Sequence, residues 1–292
     1  MGRIITCTNE DGLALRFGYD YTPWLLTDVD GVYLSEANVY TSDNTMIDGS
    51  TYQGTTLKMR NIVLTMIDRN KTGLKHNRQV LYDVFKPKSP GTLSYSESGE
   101  TRSITYYVES VQTTSMGAQR TATVSLICPD PYFYGESDVD VLIAGWNKLF
   151  TFKHEFSAAG EELGAKSAER LKVIANDTAA DNIGMTITIT ADGDVTNPSI
   201  TRVESQQVIK LGTDSRPLAI DVGDEITITT GTGNKHVYLT RDGVKTEINS
   251  YLSEDSEFIQ LMRGNNTIGY AADSGAEYLR VSVKFRYKFL GV

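Results

Sequence analysis

The chain has 292 residues, 40% of them hydrophobic, which is enough to bury a sizeable core and long enough for two domains. Asp and Glu number 37 against 28 Lys and Arg, and the net charge of −9 argues against a nucleic-acid partner, which selects a basic surface. No apolar run approaches the ~20 residues that span a bilayer, and MGRIITCTNEDG lacks the apolar centre of a signal peptide, so neither a membrane span nor export by that route is expected.

The pattern along the chain is mostly that of strands. Leu13 to Phe17 alternates, and Val32 to Val39 alternates less cleanly. Thr55 to Ile67 reads as one long strand with Leu57, Met59, Ile62, Leu64 and Met66 facing inward. The change of phase at Arg60 and Asn61 predicts a bulge there. Asp68 to Gly73 is a turn. Leu74 to Lys86 places Leu74, Arg78, Leu81, Tyr82 and Phe85 on one face at helical spacing, and Pro87 ends that helix. Pro90-Gly91 reads as a turn, and Thr92 to Tyr95 with Thr101 to Val111 as a hairpin closed by ESGE. Thr113 to Arg120 is a polar turn. Thr121 to Cys128 then alternates cleanly, with Ala122, Val124, Leu126 and Cys128 on one face.

Pro129 and Pro131 stop that strand, since neither can donate a ladder hydrogen bond and each extends the residue before it. The exit, capped by Tyr132, Phe133 and Tyr134, marks a domain end, so the domains are expected at 1–140 and 141–292. In the second half, Leu149 to Phe156 alternates, and Glu161 to Arg170 is a helix candidate weakened by Gly164. Leu171 to Ile174, Met185 to Thr190, Ser199 to Val203, Gln207 to Leu211, Glu225 to Thr230, His236 to Thr240 and Tyr278 to Phe289 read as strands. Turn signals separate them at regular intervals, as in a sandwich or barrel.

Chemistry-bearing motifs are missing. His76, His154 and His236 fall in different elements without metal-ligand spacing, and no G-x-S-x-G surrounds a serine. TTGTGNKHV lacks phosphate-loop spacing and reads as a hairpin turn. The acidic clusters Asp28 to Asp30, Asp138 to Asp140 and Asp192 to Asp194 fall in turns and do not follow a calcium-loop pattern. Two cysteines, Cys7 and Cys128, cannot build a disulfide framework and are expected to be reduced, buried and non-catalytic. Trp146, Tyr238, Tyr251, Tyr270, Tyr278 and Tyr287 are candidates for stacking on a sugar, and a core or interface role explains them equally well. No catalytic, cofactor-binding or metal residue is therefore expected.

Taken in order, TTLKMRNIVLTMIDRN, NRQVLYDVFKPKSPGTLSY, RSITYYVESV and TATVSLICPDPYFYG resemble the N-terminal domain of distal tail proteins from long-tailed phages and related phage-tail-like particles. In the second half, Asn197-Pro198, GDEITITT, KHVYLTRDG and LMRGNNTIGYAADSG are similar to the same family. The resemblance implies a mainly β protein, with an N-terminal β-sandwich-like domain carrying one helix and a C-terminal galectin-like β-sandwich. It implies a structural, non-enzymatic ring, usually hexameric, at the tail tip of the virion, assembled in the host cytoplasm. The implied partners are further copies of the chain, the tail tube protein, the tail hub or tail-associated lysin protein, and receptor-binding or baseplate proteins. The alternatives are a carbohydrate-binding module and a tail-associated cell-wall hydrolase.

Overall fold

A computed structural model describes residues 3–18, 23–43, 48–69, 74–114, 120–144, 146–148, 164–166, 170–178, 180 and 182–292. The expected turn at 70–73, the strand at 149–156, most of the helix candidate at 161–170 and His154 lie outside them. The chain divides into two compact units, Met1–Glu136 with Lys288–Val292, and Ser137–Tyr287. The first division falls after Glu136 rather than after Asp140, because Val139 and Asp140 pair into a sheet of the second unit. The last five residues return to the first unit.

The first unit holds strands β1 (Ile4–Asn9), β2 (Ala14–Phe17), β3 (Trp24–Asp30), β4 (Ala37–Asp43), β5 (Ser50–Leu57) and β6 (Arg60–Asp68). Helix α1 (Leu74–Val84) follows, then β7 (Pro90–Glu97), β8 (Glu100–Thr113), β9 (Thr121–Cys128) and β10 (Phe133–Gly135). One antiparallel sheet runs β2-β1-β7-β8-β9-β6-β3, and its two end strands approach each other, so the sheet curls almost into a barrel. Strict alternation builds the interior: Ile62, Leu64 and Met66, Ile104 and Tyr106, and Ala122, Val124, Leu126 and Cys128 are all buried. Each such large apolar side chain contributes about 1.5–3 kcal/mol. A two-residue turn at Ser98 and Gly99, both at positive φ, closes the β7–β8 hairpin.

Five expectations in this unit change. Thr55 to Ile67 is not one strand: β5 and β6 are separated at Lys58 and Met59 and enter different sheets. No register shift falls at Arg60 and Asn61; shifts lie instead in β3 between Leu26 and Asp28, in the β4–β5 pair at Tyr40 and Thr41, and in β8 between Val108 and Ser110, where Glu109 is the extra residue. Pro90-Gly91 opens β7 rather than forming a turn, and Val32 to Glu36 is not strand, whereas β1 and β3 are. Helix α1 buries Asn77, Leu81 and Val84, with Phe85 just beyond its end, and leaves Tyr82 exposed, so its inner face is rotated toward Asn77. The Trp24 indole donates to Asn77 O and Asn77 donates to Asp68, which seats the helix on the sheet.

The second unit begins with β11 (Val139–Ala144), β12 (Trp146–Lys148), β13 (Gly164–Lys166), β14 (Leu171–Asn176), β15 (Met185–Ala191), β16 (Val195–Arg202) and β17 (Gln207–Lys210). It continues through β18 (Ala219–Ile220), β19 (Glu225–Gly231), β20 (Asn234–Arg241), β21 (Val244–Glu247), β22 (Gly264–Ser274) and β23 (Leu279–Phe285). An antiparallel sheet β11-β23-β15-β19-β20-β21 and a second sheet β14-β22-β16-β17, with β18 on β16, share one core. Ile187, Ile226, Ile228 and Val281 from one sheet meet Val195, Ile200 and Ile268 from the other, the packing of a sandwich. Asn197 sits at φ 52, which flips the phase of β16 and lets Pro198 occupy a strand without a ladder donor.

Within the helix candidate, Gly164–Lys166 is a strand paired with Trp146–Lys148. Tyr278 to Phe289 is two strands: β23 ends at Phe285, and β24 (Lys288–Phe289) pairs with β10 in the first unit.

Candidate assembly surfaces

Cys7 and Cys128 are buried in the first unit. Burial pushes the Cys7 thiol well up, and pushes that of Cys128 up to about 12 against the opposing charge of Arg60. Both are thus protonated at neutral pH and poor nucleophiles. His76 is on α1, and its side chain lies outside the described residues. His236 is on β20 of the second unit, with Nδ1 2.7 Å from Glu247 Oε1 and its ring stacked on Tyr238. Asp28 and Asp30 lie on β3 rather than in a turn. Hydrogen bonds from Lys284 and then Arg286 hold Asp138 below the usual carboxylate range. Asp192 is engaged by Arg280. Among the described residues, no group of three or more His, Cys, Asp or Glu side chains is arranged to hold a metal ion.

The conspicuous surface is the β4–β5 hairpin. Its strands pair with each other from Ala37↔Leu57 to Asp43↔Ser50 and with no third strand among the described residues. Every residue of β4 is exposed, and β5 is exposed except for Gly54 and Leu57, which are half-buried. Local bonds hold its shape: Ser50 to Asp43 at 2.6 Å, Gln53 to Ser42 at 2.8 Å, Tyr52 to Thr55 at 2.9 Å, and Lys58 to Glu36 at the base. An isolated two-stranded ribbon is marginal in water, and its two edges offer unpaired main-chain groups. Val39, Tyr40 and Tyr52 stand on it, and Tyr33, Leu34 and Met59 flank its base, with Leu34 74% and Met59 66% exposed. Apolar and aromatic side chains in that number suit an interface core.

Arg60 fixes the base of this surface. It opens β6, is almost fully buried, and donates to Gly31 O at 2.6 Å, Pro131 O at 3.0 Å, Tyr33 O and Leu290 O at 2.6 Å. Its guanidinium lies over Phe133, 5.0 Å from the ring centroid. Burial lowers its pKa, yet four carbonyls satisfy the charge without a carboxylate. The 31–33 segment, the proline exit and the returning chain end are thereby tied to one side chain. Sequence reasoning missed this role; the available signal was an arginine opening an apolar strand.

The aromatics of the second unit are mostly occupied. Tyr270 is buried. Tyr251 lies under the Arg216 guanidinium at 4.0 Å, and Tyr238 lies between His236 and Lys245. Tyr287 meets Phe285 edge-on and donates to Ala175 O. Tyr278 covers Gly193 so closely that a Cβ there would be 3.0 Å from the ring. Trp146 is on β12, and its side chain lies outside the described residues.

Residues 19–128 match the family described as phage tail protein RIFT-related domain, and residues 178–289 match the siphovirus-type tail component, C-terminal domain. The chain belongs to the siphophage distal tail, or Dit-like, protein family. It is a structural component of a phage tail and baseplate, and its place is the virion. The crystal structure of phage SPP1 Dit, a hub adsorption protein of phages infecting Gram-positive hosts, is similar across 98% of this chain and 99% of that one, with TM-score 0.67 and 15% identity. A chain of the phage p2 baseplate in its activated conformation with Ca is similar over the full length of both, with TM-score 0.54 and 10% identity. The corresponding baseplate with Sr gives 0.55 and 12% over 99% of each chain. At these identities the likeness is one of fold. Comparison with curated protein sequences finds no match.

Proposed function

We propose that this Dit-like protein closes into a hexameric ring through its first unit and joins the tail tube to the hub and to receptor-binding or baseplate proteins. The observation that carries the reading is the β4–β5 hairpin, whose exposed aromatics and free edges have no partner within the described chain. A cyclic arrangement lets every copy use one heterologous surface and leaves no end. The protein acts without catalysis: its thiols are buried and protonated, and among the described residues no His, Cys, Asp and Glu side chains gather into a metal-holding group. Assembly takes place in the host cytoplasm, in keeping with buried, unpaired cysteines. The second unit docks other tail proteins, since its tyrosine faces are largely covered by its own side chains.

The test is light scattering and class averages of negatively stained protein, alone and with tail-tube protein. Closed rings are expected. A monomer at every concentration, with no ring beside tail-tube protein, overturns the reading. Release of wall fragments by the purified protein would overturn its non-enzymatic part.

A further inference from the structure

We infer that a groove in the second unit, beside strand β21, is a docking site for an extended peptide segment of a partner protein that brings a carboxylate. The inference rests on the reading of the second unit as a docking domain and names the site and chemistry of its partner.

The groove measures about 690 Å³. It is lined on one side by residues of β20 and β21, at the end of the six-stranded sheet, and residues 216–219 and 250–251 form its other wall. Its floor is apolar: Leu218 and Ile248 are nearly fully buried, Leu239 is half-buried, and Val244 is 66% exposed. Water therefore covers apolar surface that a partner's side chains would displace.

Strand β21 supplies the main-chain half of the site. A two-residue turn, Asp242 and Gly243 at φ 51 and 76, makes Arg241 and Val244 a hydrogen-bonded pair. Ile248 N–H donates to Val237 O. The main-chain groups of Val244, Thr246 and Ile248 therefore face β20, and those of Lys245 and Glu247 point away from the sheet. No strand pairs with that edge among the described residues. An added strand would take those donors and acceptors and lay alternate side chains into the groove. A globular face or a compact sugar would not use that edge in this way.

Charge selects the partner. The Arg216 guanidinium lies over Tyr251 at the rim and donates to Ser250 O at 3.1 Å; among the described residues it forms no ion pair with a carboxylate. The other cation of the groove, Arg241, is engaged by Asp224, and Glu247 is engaged by His236 and Asn249. Arg216 is thus left as the charge available to a ligand. Its planar fork, already held by the ring, suits a carboxylate on an extended chain.

The test uses the full chain and fluorescence anisotropy. The probes are a labelled, end-capped peptide of alternating valine and threonine with one central aspartate, and its counterpart with lysine in place of aspartate. Saturable binding of the aspartate peptide is expected, with the lysine peptide roughly tenfold weaker. Lys245→Pro removes an edge donor that β20 does not use, and is expected to cost tenfold or more in affinity, whereas Lys245→Ala, which loses only the side-chain contact on Tyr238, keeps it. Arg216→Glu is expected to reverse the preference between the two peptides, which a merely misfolded variant would not do. Failure of both peptides to saturate, equal affinity for the two, or full affinity in Lys245→Pro overturns the proposal. Displacement of the peptide by wall oligosaccharide also overturns it, in favour of a sugar. Ring formation, imaged on the same variants, reports separately on the first unit. Rings without peptide binding sink this site alone, and peptide binding without rings sinks the ring alone.

Discussion

Arg102 lies over Phe289: its guanidinium carbon is 4.0 Å from the ring centroid, and Nη1 donates to Gly291 O at 2.8 Å. With the bond from Arg60 to Leu290 O and that from Val292 N to Val32 O, residues 288–292 are held along their whole length. Deleting them leaves the buried Arg60 short of an acceptor and uncovers Phe133, to which Phe289 is paired. The expected cost to the first unit is about 2–4 kcal/mol, from the loss of charge-assisted hydrogen bonds around a buried cation. Calorimetry of the truncated chain should show a lowered first-unit transition beside an unchanged second one. An unmoved first-unit transition would show that the strap is decoration.

The same connectivity sets where the second unit can be cut. Residues 137–287 retain β11, the strand that pairs with β23, and leave the strap behind. Residues 146–292 lose that strand and carry Phe289 into water. The 137–287 fragment is expected to unfold cooperatively and at a higher temperature than the 146–292 fragment. Equal melting of the two would mean that β11 adds nothing to the sandwich.

Tyr106 illustrates a cost retained inside the first unit. Its hydroxyl is buried and has no hydrogen-bond partner among the described residues, and its ring sits on Gly91, where a Cβ would lie 2.3 Å from the ring. Burial also pushes the phenol's pKa far up. Tyr106→Phe removes an unsatisfied polar atom and keeps the packing, so it should be neutral or stabilise by about 1 kcal/mol. Gly91→Ala should destabilise by about 1–3 kcal/mol, because the ring must move in a packed core. Chemical denaturation of both variants checks the pair; a clear loss in Tyr106→Phe would reveal a partner for the hydroxyl.

Much of the core was legible because burial follows strand periodicity wherever one face is dry. Thr121 to Cys128 shows this, as do Ile62, Leu64 and Met66. The break between β5 and β6 was not legible, since Leu57 and Met59 continue an apolar pattern that belongs to no core. Tyrosine, threonine and valine favour strands whether or not a sheet lies on both sides, so the exposed β4–β5 ribbon reads like a packed one. The alternation from Tyr278 to Phe289 likewise crosses Arg286 and Tyr287 without a signal, although the chain changes units there. The Arg60 clamp and the β21 groove depend on residues far apart in sequence and could come only from the fold.

Asp221 offers a pH signature in the second unit. Asp194, first by its hydrogen bond and then by its charge, holds the Asp221 carboxyl above the usual range; Asp224 adds to this and Arg241 opposes it. A raised folded-state pKa means that the folded protein binds the extra proton. The stabilisation from sharing it is full below the ordinary aspartate range and is lost as pH rises through the raised value. At neutral pH the two carboxylates repel. Asp221→Asn is therefore expected to raise the melting temperature at pH 7, by an amount that shrinks toward acid pH. A gain that persists unchanged below the aspartate range would assign the effect to something other than this pair.

The sharpest test of the ring lies on the hairpin. Tyr40 and Tyr52 are exposed, and their hydroxyls bond only within the ribbon, to Thr56 at 3.2 Å and Thr55 at 2.9 Å. Neither reaches the core of the first unit, so the double change Tyr40→Ser and Tyr52→Ser should move the stability of the isolated chain by less than about 0.5 kcal/mol. If these rings fill pockets on a neighbouring copy, each loss removes an interface anchor, commonly 2 kcal/mol or more. The expected result is a well-folded monomer at concentrations where the unaltered protein forms rings. Arg78→Ala, on the half-buried surface of α1, serves as a control and should leave rings intact. Rings of normal size from the double variant would move the interface away from the β4–β5 ribbon.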